Sequence, residues 1–155
     1  MRIDLSSVPI ESGTTYPQAF RSAVAGRSRQ RVGNAAGLTN FGVNLTTLAP
    51  GSQSALRHWH SAQDEFVYVV SGELVLMTDK GEEVLGPGDM AGFAAGVPNG
   101  HHLVNRSAAP AVYLEIGDRT PADNAHYPDH DLVACTSDDQ RTHDYLHKDG
   151  RAYSS

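Results

Sequence analysis

The sequence predicts an all-β protein, an antiparallel sandwich or barrel built from short strands. Glycine and proline are frequent, with 15 and 8 copies in 155 residues, and those in the middle of the chain divide it into many short segments. Several of these segments alternate polar and apolar residues, as strands with one buried face do. Turn signals recur every several residues between them, which is typical of a sandwich or a barrel rather than of long helices.

Residues 1–37 are predicted to form an irregular N-terminal lead with an edge strand. Glycines and prolines interrupt this region, and no 3.6-residue periodicity persists in it. The edge strand is expected around Gln18–Val24. One short basic run, Arg27–Arg31, is flanked by glycines. It is interpreted as a solvated loop, with a local anion or partner site as the alternative.

Residues 38–117 are predicted to form the barrel, and residues 118–155 a tail that wraps its surface. The first barrel strand lies within Leu38–Leu48 and ends at Pro50-Gly51. Further strands are expected at Ser54–His60, Glu65–Val70, Leu74–Thr78, Glu82–Leu85, Met90–Ala94, Gly100–Asn105 and Val112–Gly117. The tail is assigned by composition, because it is rich in Asp, His, Tyr and Pro.

Composition excludes several classes of function. A chain of 155 residues with a net charge of −6 suits one domain and argues against general nucleic-acid binding. No apolar run is long enough to span a bilayer, and the N-terminal sequence lacks the apolar stretch of a secretory signal, so a cytoplasmic protein without membrane partners is expected. The single cysteine, Cys135, excludes an internal disulfide and a thiolate cluster within one chain.

The segment RHWHSAQDE, Arg57–Glu65, carries the strongest chemical signal. On a strand, residues two apart point to the same face, so His58 and His60 project together. Glu65 begins the next strand, which can lie alongside. Two neutral imidazole nitrogens and a carboxylate oxygen suit a divalent ion such as Zn, Fe, Mn, Ni or Cu. The alternative is an imidazole–carboxylate hydrogen-bond cluster without a metal.

A second segment, Gly86–Asn105, completes a pattern that the first one starts. The first segment contains, in order, Gly51, His58, His60, Glu65 and Gly72, and the second contains Gly88, Gly96, His101 and Asn105. Together they resemble the double signature of the cupin superfamily, Gly-x5-His-x-His-x3–4-Glu-x6-Gly and Gly-x5-Pro-x-Gly-x2-His-x3-Asn. Three departures occur: one extra residue precedes His58, Ala94 replaces the proline, and four residues rather than two separate Gly96 from His101.

The resemblance implies a conical double-sheet jelly-roll barrel that holds one divalent transition metal per chain. The ligands that it implies are His58, His60, Glu65 and His101, with at least one coordination position left open. His101 lies four residues before Asn105, as the signature requires. A bulge in the glycine-containing approach would present His102 instead, and this alternative stays open.

Two further strands suggest a partner and a pocket. Glu65–Val70 is apolar on both faces, so its outward side chains Phe66, Tyr68 and Val70 need a cover, which is a tail, a second sheet or another subunit. Cupin-like barrels commonly dimerise this way, and a homodimer is expected. On the last barrel strand, Tyr113 and Glu115 form a polar face that is predicted to bind substrate, while a solvent-facing position is an equal alternative. No arginine is identified as aimed at the metal site.

The function predicted from these features is metal-dependent catalysis on a small polar organic molecule. Dioxygenase, decarboxylase and isomerase chemistries all occur in cupin-like proteins, and fold-level analogy does not choose among them. The alternative is a non-catalytic module that senses or carries a small molecule or a metal. A barrel without any metal is the third hypothesis.

Overall fold

The computed structural model describes residues 1–136 and 143–153, and antiparallel strands dominate this part of the chain. Three short helical segments, Leu5–Ser7, Gln18–Val24 and α1 (Val32–Ala35), lie before the barrel. The strands are β1 (Glu11–Ser12), β2 (Arg27–Gln30), β3 (Phe41–Leu48), β4 (Trp59–His60), β5 (Glu65–Ser71), β6 (Leu74–Thr78), β7 (Gly81–Leu85), β8 (Met90–Phe93), β9 (His102–Val104), β10 (Ala111–Asp118), β11 (Asn124–Tyr127), β12 (Leu132–Thr136) and β13 (His143–Leu146).

The strands form three sheets in a jelly-roll arrangement, which confirms the predicted fold class. The six-stranded sheet has the order β1-β2-β3-β10-β5-β8, and every pair in it is antiparallel. A four-stranded sheet has the order β13-β12-β11-β4, and a three-stranded sheet has the order β7-β6-β9. The crossovers in these orders join strands that are distant in sequence, as a jelly roll requires.

The main core lies between the six-stranded and three-stranded sheets. Inward side chains of β3, β5 and β10, including Leu48, Val69 and Tyr113, pack against Leu74 and Leu103 from the opposite sheet. Alternation along β5 places Val67 and Val69 in this core, while Phe66 and Val70 on the other face stay 39% and 44% exposed. A second apolar cluster joins the four-stranded sheet to the N-terminal segments through Tyr16, Val24 and Tyr127.

Three local predictions were wrong. Gln18–Val24 is a 3-10 helix rather than a strand. Within Ser54–His60, only Trp59–His60 forms a strand. Arg27–Gln30 is strand β2 rather than a solvated loop, and it pairs with β3 from Arg27↔Leu48 to Gln30↔Leu45. The polarity of this run concealed its burial. Arg27 is only 6% exposed, and its buried guanidinium is satisfied because it donates to the main-chain carbonyls of Ser54 and Gly13.

The C-terminal residues contribute a sheet next to the histidine segment. β11 pairs with β4 through Ala125↔His60 and His126↔Trp59, and β12 and β13 extend the same sheet. The division into a lead, a barrel and a wrapping tail stays a prediction, and part of that tail, residues 137–142 with 154 and 155, lies outside the described residues. Within residues 1–136 and 143–153, no helix is long and apolar enough to cross a membrane.

Candidate metal centre

Backbone hydrogen bonds bring the two histidine segments side by side. His58 and His101 form an isolated antiparallel bridge, with N–H to carbonyl distances of 3.2 and 2.9 Å. The His60 carbonyl accepts from the Gly96 N–H at 2.8 Å, which fixes the loop that approaches His101. Glu65 begins β5, next to β8 and β10. The fold therefore brings together residues that are far apart in sequence.

The three histidines that the resemblance implies as ligands converge on a carboxylate oxygen of the fourth, Glu65. Glu65 Oε2 lies 2.7 Å from His101 Nε2, 3.6 Å from His60 Nε2 and 3.7 Å from His58 Nε2. Ligand atoms of His58, His60 and Glu65 all lie within 4.8 Å of one another. His101 falls outside that closest group of three but contacts Glu65 directly. Three imidazoles and one carboxylate are a donor set suited to a first-row divalent metal.

The outer nitrogen of each imidazole is held by an acceptor that points away from the centre. His58 Nδ1 lies 2.8 Å from the Leu56 carbonyl oxygen, and His101 Nδ1 lies 3.3 Å from the Asn99 carbonyl oxygen. Carbonyl oxygens only accept, so each of these Nδ1 atoms is the donor in its hydrogen bond. The Nε2 atoms face Glu65. This is the orientation that metal-binding imidazoles require, so the residues present fit a metal ion.

His60 is held by a buried carboxylate that the sequence analysis missed. Its Nδ1 lies 2.6 Å from Asp123 Oδ2, and Asp123 is 1% exposed. The other carboxylate oxygen accepts from the Ala62 N–H at 2.8 Å and from Ser61 Oγ at 3.4 Å. A carboxylate behind a ligating imidazole fixes its tautomer and orientation. No local signal pointed to Asp123, because it lies in the region predicted as a tail.

The structure turns His101, and not His102, toward Glu65. His102 Nδ1 lies 2.8 Å from the Ala55 carbonyl oxygen, and its Nε2 lies 3.3 Å from Met77 Sδ. The His101 ring stacks on Phe93 with ring centroids 3.5 Å apart and an angle of 2° between the planes. Neighbouring residues of a strand point to opposite faces, so the two histidines cannot face the centre together.

Burial and mutual contacts shift the acid–base behaviour of the cluster. Burial lowers the pKa of His58 to about 4, against the attraction of Glu65, so this imidazole is neutral at pH 7. Burial alone would raise the pKa of Glu65, but the His101 hydrogen bond and the nearby His60 and His58 hold it well below its usual range. His60 has a raised pKa because, against burial, Asp123 and Glu65 stabilise its charged form. At neutral pH the cluster therefore offers an ionised carboxylate and at least one neutral imidazole.

The low pKa of His58 predicts a loss of stability in mild acid. Between pH 6.5 and about 4, unfolded His58 binds a proton and folded His58 does not. The free energy of unfolding of the metal-free protein is therefore expected to fall as the pH drops through this window, by up to about 3 kcal/mol. His60 opposes this, because a raised pKa adds stability at low pH that is lost as the pH rises through the folded value. Urea unfolding at several pH values would measure the slope.

A matched variant isolates the contribution of His58. His58→Gln cannot titrate in this range, so its unfolding free energy should change less between pH 6.5 and 4 than that of the wild type. Equal slopes in wild type and His58→Gln would contradict the assignment.

A cavity of about 240 Å³ adjoins the cluster. His60, Glu65 and His101 form one side of it, and Gln63 and Asn99 also line its wall. Trp59 also lines it and stacks on His126, with ring centroids 4.4 Å apart. This volume is just below the roughly 300–1,000 Å³ of typical small-molecule sites, so it suits a small ligand.

The two residues predicted to bind substrate lie inside the barrel, although neither lines this cavity. Tyr113 is 1% exposed and belongs to the main core, which excludes the solvent-facing alternative for it. Its hydroxyl donates to Glu115 Oε2 at 3.2 Å, and Asn44 Nδ2 donates to Glu115 Oε1 at 2.9 Å. A role in binding substrate stays a prediction for both residues.

Comparison with known proteins identifies the family of this chain. A family model described as a cupin domain matches residues 44–117. A sugar phosphate isomerase of the cupin superfamily from Silicibacter pomeroyi is 45% identical, with a TM-score of 0.95, and the match covers 100% of this chain and 98% of that one. A search of curated proteins found no significant match.

More distant solved structures share the fold. A protein from Acidithiobacillus ferrooxidans, provisionally named a sugar phosphate isomerase, is 26% identical over 83% of this chain and 81% of its own, with a TM-score of 0.73. A polyketide cyclase from Streptomyces resistomycificus is 19% identical over 76% and 78% of the two chains, with a TM-score of 0.62, and shows the fold alone. The full-length relative, the matching family model and the jelly roll agree with the two histidine motifs: the chain belongs to the cupin superfamily.

Proposed function

We propose that the protein is a metal-dependent isomerase that acts on a small sugar-like molecule with neighbouring hydroxyl and carbonyl groups. The observation that carries the proposal is the convergence of three imidazole Nε2 atoms on Glu65 Oε2 beside a cavity of about 240 Å³. The choice of isomerase over the decarboxylase and dioxygenase alternatives is supported by the 45% identical relative, which is described as a sugar phosphate isomerase.

His58, His60, Glu65 and His101 would hold one divalent transition metal, from the set Zn, Fe, Mn, Ni and Cu. When bound, such an ion acts as a Lewis acid toward a carbonyl or hydroxyl oxygen of the ligand. The chain prepares the donors in advance. Leu56, Asp123 and Asn99 each hold an Nδ1, so the inward nitrogens need little reorientation.

Side chains around the cavity would orient the ligand and exclude water. The Gln63 amide nitrogen donates to the Thr120 carbonyl at 2.8 Å, which leaves its oxygen to accept from a ligand hydroxyl. Asn99 Oδ1 accepts from the Asp79 N–H at 3.0 Å, which leaves its NH2 group to donate. Phe93 and Trp59 supply apolar surface. Glu65 is ionised at neutral pH and lines the cavity, so it is the group placed to take a proton from a ligand carbon if it leaves the metal.

A non-catalytic binding module is the second candidate, and one observation favours it. The pKa of Glu65 is held well below its usual range, and a general base works best when its pKa lies near the working pH. A carboxylate that serves mainly as a metal ligand would bind a small molecule without moving its protons. In that case the protein senses or carries its ligand.

Exchange of ligand protons with solvent separates the two candidates. Purified protein would be incubated in D2O with a panel of aldoses, ketoses and their phosphates, with and without added Mn, Fe, Ni or Zn, and followed by NMR. An isomerase that transfers a proton through Glu65 incorporates deuterium next to the carbonyl, and one that shifts a hydride converts the sugar without exchange; either needs metal, and His60→Ala should abolish it. His102→Ala, whose imidazole points away from the centre, is the matched control. Saturable binding with neither exchange nor conversion would favour the binding module.

We propose that the outer face of the six-stranded sheet forms a homodimer interface. Phe66, Val70 and Met90 are 39%, 44% and 59% exposed on β5 and the neighbouring β8. A second copy of the chain is the occupant proposed, since a sheet face can pair with itself about a two-fold axis. A cytoplasmic location is a separate proposal, and cell fractionation tests it.

A charge placed on this face should separate the dimer. Phe66→Glu is expected to halve the mass measured by light scattering after gel filtration, because an uncompensated carboxylate at a buried interface is unfavourable. Val84→Glu, at a more exposed apolar position on β7 in the three-stranded sheet, should leave the mass unchanged. A wild-type protein that is monomeric at all accessible concentrations would contradict the proposal.

A further inference from the structure

A polar wall lies on the inner face of the six-stranded sheet. It consists of Arg29, Asn44, Thr46, Tyr113 and Glu115, which come from three neighbouring strands. The register pairs Arg29 with Thr46, Thr46 with Tyr113, and Asn44 with Glu115. Tyr113 and Glu115 in turn oppose Val69 and Val67, two residues of the main core. These pairings place polar groups where a barrel interior would otherwise be apolar.

The polar wall approaches the histidine cluster. Glu65 pairs with Gly117, two residues after Glu115. Glu65 and Glu115 are therefore diagonal neighbours on adjacent strands, about 7–8 Å apart at the backbone. Gly117 has no side chain to separate them, and a Cβ added there would lie 4.0 Å from Glu65 Cγ. An arginine side chain that is directed toward Glu115 is therefore also directed toward the end of the barrel that holds Glu65.

The Arg29 side chain is directed toward Glu115, and its Nε has no hydrogen-bond partner. Its Nε lies 3.0 Å from Glu115 Oε1, without the alignment of a hydrogen bond. Among the described residues, the two buried side-chain atoms without a hydrogen-bond partner are this Nε and Thr46 Oγ1, and they belong to residues paired in register. Thr46 is fully buried, whereas the Arg29 side chain keeps 27% of its surface exposed. Buried polar atoms without partners mark places where a further polar group belongs.

Arg27, on the same strand face as Arg29, keeps a buried charge without a carboxylate close by. It is 6% exposed, and its two hydrogen bonds go to main-chain carbonyls. In the described part of the chain, Glu115 is within ion-pair distance of Arg29, and Glu65 lies farther away but adds a second attractive charge, whereas no carboxylate is within ion-pair distance of Arg27. A buried positive charge is costly unless an anion compensates it.

We propose that Arg29, supported by Glu115 and Thr46, binds the anionic group of the ligand, a carboxylate or a phosphate, whose other end reaches the histidine cluster. This assignment rests on the proposed function for the position of the ligand and adds its charge class. A guanidinium offers several donors in one plane, which suits both carboxylate and phosphate oxygens. A local anion site was the alternative interpretation of the basic run Arg27–Arg31, and this assignment places such a site at Arg29.

Calorimetric titration of inorganic phosphate and of malonate tests the site without a known substrate. Both anions are titrated at fixed ionic strength into the protein as purified and after chelator treatment. The wild type should bind at least one of them in both preparations, and Arg29→Gln should weaken that binding at least about tenfold, since a charge-assisted hydrogen bond is lost. Arg29→Lys should retain part of the affinity. Which anion binds more tightly distinguishes phosphate from carboxylate ligands.

Two further variants guard against indirect effects. Arg119→Gln removes an arginine that bonds to the Leu38 carbonyl and Asn34, away from the polar wall, and should leave anion binding unchanged. Arg29→Gln leaves Glu115 without its cation, so the double variant Arg29→Gln/Glu115→Gln removes that charge as well and should also lose anion binding.

Three results would overturn the assignment: no binding of either anion by the wild type, equal affinity in Arg29→Gln, or binding that disappears with the chelator. His60→Ala keeps the two proposals separate, because it should abolish metal-dependent exchange while anion binding at Arg29 persists. Exchange without an effect of Arg29→Gln would overturn the anion site alone.

Discussion

Metal content is expected to collapse when a member of the histidine cluster is removed. His58→Ala, His60→Ala and His101→Ala should each fall from near one metal ion per chain to below about 0.1, measured by plasma mass spectrometry on gel-filtered protein. Each of these imidazoles presents Nε2 to Glu65 Oε2, between 2.7 and 3.7 Å away. Loss of one donor weakens the site, so the ion is expected to dissociate during gel filtration.

His102→Ala is the matched control for His101→Ala. The two residues are adjacent in sequence, but His102 bonds to the Ala55 carbonyl and faces away from Glu65. It should therefore keep the full metal content, as should the wild type reloaded after chelation. Wild-type protein that contains no metal from any preparation, and takes up none, would contradict the metal centre and favour a hydrogen-bond cluster. Equal losses in His101→Ala and His102→Ala would point to unfolding rather than to ligation.

The fold class could be predicted because its signals are local. Turns at glycines and prolines and the two-residue alternation of β10 are visible in short segments of sequence. The strand assigned to Gln18–Val24 was wrong because those residues form a 3-10 helix whose buried Val24 joins the second apolar cluster, a contact with distant residues. The loop assigned to Arg27–Arg31 was wrong for a related reason. Charged residues usually face water, and the Gly13 and Ser54 carbonyls that accept hydrogen bonds from Arg27 belong to distant segments of the chain.

The candidate site divides in the same way. His58, His60 and Glu65 could be predicted to lie together because strand geometry relates them over a few residues, and the family signature added His101. Which of His101 and His102 faces inward depends on the bridge between His58 and His101, a pairing that the local pattern leaves open. Asp123 could not be found at all. It lies 63 residues from His60, and only the pairing of β4 with β11 brings it there.

Asp123→Asn is expected to weaken metal binding by about 10- to 100-fold, the usual effect of losing the carboxylate behind a ligating imidazole. The physical reason is the tautomer of His60. Asp123 Oδ2 only accepts, so it keeps the proton on His60 Nδ1 and leaves Nε2 free. An asparagine can keep its carbonyl oxygen on the Ala62 N–H and then presents its NH2 group to Nδ1. The imidazole must then accept at Nδ1 and carry its proton on Nε2, where a metal would bind.

A competition titration with a fluorescent zinc chelator measures this change in affinity, and thermal unfolding of the metal-free proteins measures stability alongside it. Asp118→Asn is the control, because it removes a nearby charge while its hydrogen bonds go to the backbone of Asp64 and Thr120. The metal-free Asp123→Asn protein should lose about 2 kcal/mol of stability with its charge-assisted bonds. A hydrogen-bond cluster without metal predicts that stability loss alone. Weaker metal binding in Asp123→Asn, with Asp118→Asn unchanged, is the result that only a metal centre at His60 explains.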